Sequence, residues 1–455
     1  GLRDGHFGAA DCDARTQLLT TPIAPQDLFA QAKAVIVVSS QLGAEAIWAG
    51  HRPIVFGQPF YAGWGLSDDQ NPLPRRTRKL TKEQLFAGAM ILYPTWYDPH
   101  RDQLCELETV IHNLSAQTRA WREDHAGWDA FDMRLWKRSH IQKGFGRYNR
   151  VRFAPKASQS QRRAMTWGTK DGPAHVTRVE DGFLRSKGLG ANLVVPLSLT
   201  LDDLGLYFDP TQPSRLEKLI EAAPTLDIES TPRARALRHN ILTLGLSKYN
   251  LGPTAPINLP KGRRILVPGQ VEDDASILRG TVDIKTNTAL LQHTRQQNPD
   301  AVIIYKPHPD VEAGLRQGGV DHPETWADVV AHDADPMALV DQVDEVWTMT
   351  STLGFEAILR EIPVTCLGQP FYAGLGFTTD QAPIARRTAR PNMDQFTHAC
   401  LIDFPRYFDP RTGAAATAEA AVHWLASDQG LDQPLRLRWL AKLQGALASY
   451  AHLWR

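Results

Sequence analysis

A segment that occurs twice constrains this chain more than any other feature. Residues 57–69 read GQPFYAGWGLSDD and residues 368–380 read GQPFYAGLGFTTD, 311 positions later. The same offset lays Arg75-Arg76-Thr77 on Arg386-Arg387-Thr388, Pro94 on Pro405, and Asp98-Pro99 on Asp409-Pro410. Upstream, SSQLGAEA (39–46) aligns with TSTLGFEA (350–357). Solenoid units repeat every ~20–50 residues, so this spacing reports two copies of a domain-sized module. Residues 1–125 match only the stretch from 312 to about 436. The expectation is the trailing half of one module followed by one entire module, with Gly1 not the natural start.

The 455 residues suit roughly three domains at ~150 residues each. A hydrophobic content of 42% with 22% charged residues describes a globular chain able to bury substantial cores. Fifty basic residues balance fifty acidic ones, so bulk charge gives no support to a nucleic-acid partner. Cys12, Cys105, Cys366 and Cys400 have no CxxC spacing and read as reduced thiols of a cytoplasmic protein. No run of about 18 apolar residues predicts a membrane span, and the residues after Gly1 carry no signal-peptide pattern.

Short apolar, β-branched runs precede helix-like stretches: AVIVVSS (34–40), PIVFG (53–57), RRILVPG (263–269), AVIIYKPHP (301–309), EVWTMTS (345–351) and PVTCLG (363–368). Such runs predict a parallel sheet covered on both faces, with ligand-binding loops at its carboxyl edge. The expected fold class is α/β with GT-B-like tandem Rossmann-type domains. The expected divisions are a Rossmann-like half at 1–125, an acceptor and carboxylate-bearing domain at 126–255, a nucleotide domain at 256–430, and a terminal helix at 431–455. NLGPTAPINLPKG (250–262) is the expected linker.

Several strand ends carry residues suited to chemistry. In KPHPDV (306–311) two prolines stiffen the backbone around His308, and Lys306 stands beside it. That pattern suits a phosphate or carboxylate, and equally a structural turn with a polar histidine. TSTLGFEA (350–357) sets hydroxyls before Gly354 and a helix, which makes either an anion site or a plain N-cap. Glu356 is a ribose ligand or a dipole-matched helix residue. In RVEDGFLRSKGLGA (178–191), Glu180 and Asp181 sit among Arg178, Arg185 and Lys187, as an ionised nucleophile or base would, or as a salt-bridged turn. VPGQVEDDASI (267–277) offers Gln270, Glu272, Asp273, Asp274 and Ser276, a magnesium site or a helix start. LSKYN (246–250) adds Lys248 and Asn250, and FYAGLGF (371–377) is an aromatic loop or a tight turn. There is no GxGxxG fingerprint, Walker loop, zinc signature or Ser-His-Asp pattern.

EDGFLRSKGLGA, PLSLTLDDLGLYFDP (196–210), LSKYN, PGQVEDDASI, YKPHPDV, TSTLGFEA and GQPFYAGLGF occur in that order. Together they resemble the capsule polysaccharide biosynthesis proteins of the KpsC/LipA type, which are β-Kdo glycosyltransferases. The resemblance covers residues 130–430, and 1–125 for the trailing half. It implies tandem GT-B modules that transfer Kdo, an acidic eight-carbon sugar, from CMP-Kdo with retention. The products would build the Kdo linker between a phosphatidylglycerol-type lipid and the capsule polymer.

By the resemblance, Asp181 is the catalytic carboxylate, forming a glycosyl-enzyme adduct, with Glu180 next in line. His308 and Ser351, with Pro309, Thr352 and Lys306, would hold the CMP phosphate, and Glu356 the ribose. Arg185, Lys248 and Lys306 are charge-based candidates for the sugar carboxylate. Asn250, Gln270, Glu272 and Asp273 complete the sugar and acceptor candidates. No metal and no cofactor beyond the CMP-Kdo donor are expected. Implied partners are a phosphatidylglycerol-type lipid or Kdo-terminated glycolipid acceptor and other capsule assembly proteins, at the cytoplasmic face of the inner membrane. The first copy keeps Ser39, Ser40 and Glu45 but lacks EDG, GQVEDD and KPHP blocks, so catalysis is expected from the second alone. Competing readings are a GT-B-fold sugar-nucleotide epimerase or hydrolase, and a non-catalytic glycan-binding assembly protein.

Overall fold

The computed structural model describes residues 8–431, apart from 20, 22, 154–160, 171, 174, 189–192, 227–229, 251–256, 315 and 428–430. The expected terminal helix beyond Leu431, and residues 251–256 of the expected linker, lie outside the described residues. The chain divides into two compact units: Gly1–Tyr97 with Gln103–Val110, and Asp98–Asp102 with Ile111–Arg455.

The first unit holds a parallel sheet of β1 (Ile36–Val37), β2 (Ile54–Val55) and β3 (Asp68–Asp69). These strands begin where the sequence placed its first two apolar runs. Helix Leu42–Trp48 crosses between β1 and β2 and buries Ala44, Ala46 and Ile47 in a core with Val55 and Tyr61. Thr81 and Gln84 close a capping box on helix Lys82–Phe86, which runs into a π-helical turn at Ala87–Leu92. Beyond these, β4 (Trp96–Asp98) pairs β5 (Gln103–Cys105).

The second unit contains two sheets. Their strands are β6 (Trp128–Phe131), β7 (Arg152–Phe153), β8 (Arg163–Trp167), β9 (Thr177–Asp181), β10 (Ser198–Asp202), β11 (Arg264–Pro268), β12 (Val302–Lys306), β13 (Val329–Val330), β14 (Glu345–Thr348), β15 (Val364–Cys366), β16 (Thr378–Asp380), β17 (Pro405–Phe408) and β18 (Ala415–Ala416). The six-stranded sheet runs β13-β12-β11-β14-β15-β16 with every pairing parallel. That order reverses between β11 and β14, the arrangement that opens a ligand crevice at the strands' carboxyl ends. Ile265, Leu266, Val267, Ile303 and Ile304 are fully buried, as expected of strands covered on both faces.

The other sheet runs β18-β17-β10-β9-β8-β6-β7. Its β6, β7, β8 and β9 are parallel, whereas β10, β17 and β18 add antiparallel edges. Strand β17 therefore leaves the nucleotide-type half and returns to the other sheet, so the expected boundary near 255 separates the sheets but not every strand. The two halves share one core, in which Phe183, Tyr207, Leu216 and Ile241 pack with Phe355, Phe371, Phe396 and Trp424.

Candidate functional site

The crevice predicted by the strand order is furnished by loops after β11, β12 and β14. His308 follows β12 and caps the short helix Pro309–Glu312, its Nδ1 accepting the Asp310 amide N–H at 3.1 Å. Burial holds its pKa below the ordinary value, so the imidazole is neutral at pH 7. With Nδ1 an acceptor, Nε2 carries the hydrogen and is a donor. Ser351 follows β14 and caps helix Thr352–Leu359, its hydroxyl accepting the Leu353 amide N–H at 3.2 Å. Both of the open readings, cap and anion site, are compatible here: the Ser351 hydroxyl takes the Leu353 amide and its carbonyl the Gly354 amide at 3.0 Å, which leaves the Thr352 amide to a ligand.

Gly354 explains how that helix is anchored. A Cβ there would stand 2.2 Å from the Tyr372 hydroxyl, which donates to the Ser351 carbonyl at 2.6 Å. One turn along, the Glu356 carboxylate accepts the Lys248 amide N–H at 2.7 Å, and burial raises its pKa. The LSKYN turn is thereby fixed across the crevice. Ser247, Lys248 and Tyr249 line a cavity of about 110 Å³ with Lys306, His308, Asp335, Ser351 and Glu356. An adjoining cavity of about 280 Å³ shares Lys248, Tyr249, His308, Ser351 and Thr352, and adds Glu180, Asp181, Gln270 and Phe371.

Glu180 and Asp181 end β9 on the opposite wall. The chain turns at Gly182, where a Cβ would meet the Ser198 hydroxyl at 2.2 Å. Phe183 then stacks on Phe371 with ring centroids 4.8 Å apart. The EDGF and GQPFYAG blocks are therefore in direct contact, which ties the carboxylate pair to the nucleotide-type half. Arg185, 1% exposed, donates from Nε to Asp181 Oδ2 at 2.7 Å and from Nη1 to the Ser186 hydroxyl at 2.7 Å. Asp181 Oδ1 is buried, with no hydrogen-bond partner among the described residues. Burial acts to raise the Asp181 pKa, but Arg185, Lys137 and Lys248 outweigh it and keep the carboxyl ionised. Glu180 behaves oppositely: burial and the neighbouring Asp181 charge push it up to about 7. Adjacent carboxylates with separated pKa values are a recurring acid/base arrangement.

Two further groups were missed by sequence reasoning. Helix Leu135–Phe145 brings Lys137 and His140, one turn apart, to the carboxylate pair. The Lys137 ammonium stands over the Trp167 ring, and burial draws its pKa down to about 7 against the pull of Asp181 and Glu180. Burial lowers His140 to about 4, leaving it neutral, with a buried Nε2 that has no partner among the described residues. No motif marked them, and spatial proximity was their only signal.

Other expected ligands are spent on structure. The Asn250 amide donates to the Ser247 and Ser186 carbonyls, holding its own turn in a left-handed conformation at φ 47°. Glu272 accepts the Asn287 amide N–H, and Asp273 pairs Arg316 at 2.8 Å. Neither is among the residues that line the two cavities. Gln270 borders the larger cavity while its amide clamps Thr350, and Lys306 borders the smaller one while pairing Glu312 at 2.9 Å. Of the three carboxylate candidates, Arg185 braces Asp181, Lys306 borders the smaller cavity, and Lys248 borders both.

The profile of the capsule polysaccharide biosynthesis proteins matches residues 11–95, 152–250 and 250–407. A capsule polysaccharide modification protein, LipA, of Neisseria meningitidis serogroup B is 37% identical over 95% of this chain and 65% of its own length. The lipopolysaccharide-processing protein LpsZ of Rhizobium meliloti is 46% identical over 55% of this chain and 59% of its own. This chain thus spans less than two thirds of each relative's length. Among solved structures, the β-Kdo 2,4 transferase of Thermosulfurimonas dismutans KpsC is similar at 29% identity and TM-score 0.61, covering 67% of this chain and 98% of that one. The β-Kdo 2,7 transferase of the same KpsC aligns at 32% identity and TM-score 0.55, covering 66% and 99%. A crevice built from the blocks on which the family resemblance rests, and a profile match spread over most of the sequence, place this chain in the capsule polysaccharide biosynthesis family.

Proposed function

We propose that the second copy transfers Kdo from CMP-Kdo to a glycolipid acceptor with retention of the β configuration. The observation that carries this reading is Asp181: an ionised carboxylate with one oxygen braced by Arg185 and the other buried and unpartnered. It shares a cavity with His308 and Ser351. A nucleophile needs that free oxygen, and a leaving phosphate needs those donors.

In this reading, CMP lies against His308, Ser351 and the Thr352 amide that opens helix Thr352–Leu359, with Glu356 near the ribose. Asp181 Oδ1 attacks the anomeric carbon as the bond to phosphate breaks, and the electron pair leaves with CMP. The His308 Nε2–H and the Lys248 ammonium stabilise the departing charge. An acceptor hydroxyl then displaces the aspartyl ester from the opposite side, and two inversions give retention. The acceptor is a phosphatidylglycerol-type lipid or a Kdo-terminated glycolipid, met at the cytoplasmic face of the membrane with other capsule assembly proteins. Among the described residues no helix is long and apolar enough to cross a membrane.

The test is to incubate the chain with CMP-Kdo and a Kdo-terminated glycolipid and assign the product anomer by NMR. A β-linked product is expected. An α-linked product would rule out two displacements, and release of CMP with no product would favour a hydrolase.

A further inference from the structure

The retaining scheme leaves one proton unassigned. The departing phosphate needs no acid, but the acceptor hydroxyl must lose its hydrogen while it attacks. Glu180 lines the same cavity as Asp181. Its Oε2 receives only a long 3.3 Å contact from the Asp181 amide N–H, and its Oε1 faces the backbone at Gly168. Lys137 approaches from helix Leu135–Phe145, over Trp167, with no salt-bridge partner within 4.0 Å among the described residues. The charged and titratable groups facing the pair are Asp181, Lys137, Lys248 and Tyr207 around Glu180, with Arg185 and His140 beyond Asp181.

Resting on the retaining reading above, we propose that Glu180 is the base of the second displacement, with Lys137 as its positioning residue, and that esterification of Asp181 is what frees Glu180 to act. Before the first displacement, the Asp181 charge beside Glu180 favours a protonated Glu180. Forming the C–Oδ1 bond neutralises Asp181. Glu180 then passes its proton to the phosphate dianion that leaves, a group with a second pKa near 6. The resulting carboxylate is favoured by the charge of the nearby Lys137 ammonium. In the second displacement the acceptor O–H gives its proton to Glu180 as its oxygen bonds the anomeric carbon. The C–Oδ1 bond breaks and its electron pair returns Asp181 to a carboxylate. Over the cycle the acceptor's proton ends on CMP. The base is therefore unmasked only when an adduct exists to be discharged, which protects the donor from premature hydrolysis.

The two displacements can be read separately by quenched mass spectrometry, first with CMP-Kdo alone and then after adding the glycolipid. Glu180→Gln mimics the protonated acid, so it should form the adduct at the wild-type rate and discharge it roughly 10²–10⁴-fold more slowly. Lys137→Met should slow discharge about tenfold and move the ascending limb of its pH profile upward by about one unit, because the cation that lowers the Glu180 pKa is gone. Lys137→Arg should restore the limb and extend activity to higher pH, since its cation does not titrate there. Unchanged CMP affinity in each variant verifies folding, and the Lys137 pair keeps the test open should Glu180→Gln fail to fold.

Discharge by Glu180→Gln at the wild-type rate, or failure of that folded variant to form adduct, would overturn the assignment. So would a Lys137→Met profile superposing on wild type. Absence of adduct in the wild-type protein is the separate result that removes the two-displacement reading itself.

Discussion

The two copies of the repeat share their internal architecture and differ in what lies against it. In the second copy the Tyr372 hydroxyl donates to the Ser351 carbonyl at 2.6 Å, and in the first the Tyr61 hydroxyl donates to the Ser40 carbonyl at 2.5 Å. Gly374 and Gly63 each donate an amide N–H to the aspartate six residues on, at 2.9 Å in both. Arg387 grips the Pro370 and Ala373 carbonyls, and Arg76 grips those of Pro59 and Ala62. Even the π-helical turn recurs, at His398–Asp403 and Ala87–Leu92. Yet Phe371 is 6% exposed beneath Phe183, whereas its counterpart Phe60 is 41% exposed. Motifs such as GQPFYAG therefore encode turn and core geometry. Only the second copy sets that geometry against an EDG block in this chain.

The sharpest break between the copies should come from the wall. Asp181→Ala is expected to lower transfer by at least about 10³-fold while CMP affinity, measured by calorimetry, stays near wild type. A comparable loss of CMP affinity would mean that Asp181 holds the nucleotide.

Glu217 tests the packing half of the contrast. It bridges Arg386 and Arg387, with Oε2 2.9 Å from Arg387 Nε, and all but about 7% of its side chain is buried. The first-copy counterparts are Arg75 and Arg76. Glu217→Ala should cost about 3–5 kcal/mol of unfolding free energy, because it strands buried guanidinium charge. Burial opposes ionisation of Glu217, but its hydrogen bonds to the two arginines outweigh that and lower its pKa below the unfolded value. Its contribution is thus present above the unfolded pKa and lost as pH falls through the folded one. Denaturant midpoints should show a smaller acid sensitivity in the variant than in the wild type.

A smaller effect is expected at the nucleotide side. His308→Ala should weaken CMP binding about 10–100-fold, the range of a lost charge-assisted hydrogen bond. Ser40→Ala, in the first copy, should leave CMP binding and transfer unchanged. Equal effects at both positions would erase the functional distinction between the copies.

The smallest contrast is at the paired glycines. A Cβ at Gly43 would stand 2.3 Å from the Tyr61 hydroxyl, much as at Gly354 against Tyr372. Each alanine variant should lose about 1–3 kcal/mol of stability by crowding a packed ring. Only Gly354→Ala should also weaken CMP binding, by shifting the Ser351 cap.

The parallel sheet, the duplicated half and the crevice at His308 and Ser351 were legible because strands covered on both faces are written as continuous apolar runs. Lys137, His140 and Trp167 were not. They come from a helix and a strand without motif character, and only tertiary packing brings them to β9. Charge alone did not reveal that Glu272 and Asp273 have local partners, since acidic residues at a strand end can be satisfied by a local amide or by Arg316. The position of strand β17 was not legible for a related reason. Its sequence belongs to the repeat, while its pairing with β10 is decided by what lies opposite.

The most direct test of the central claim is peptide mass spectrometry of the chain quenched after incubation with CMP-Kdo alone. The account predicts a Kdo adduct on the peptide carrying Asp181, and its loss in Asp181→Ala. An adduct that persists in Asp181→Ala, or its absence from a wild-type protein that still transfers, would contradict it.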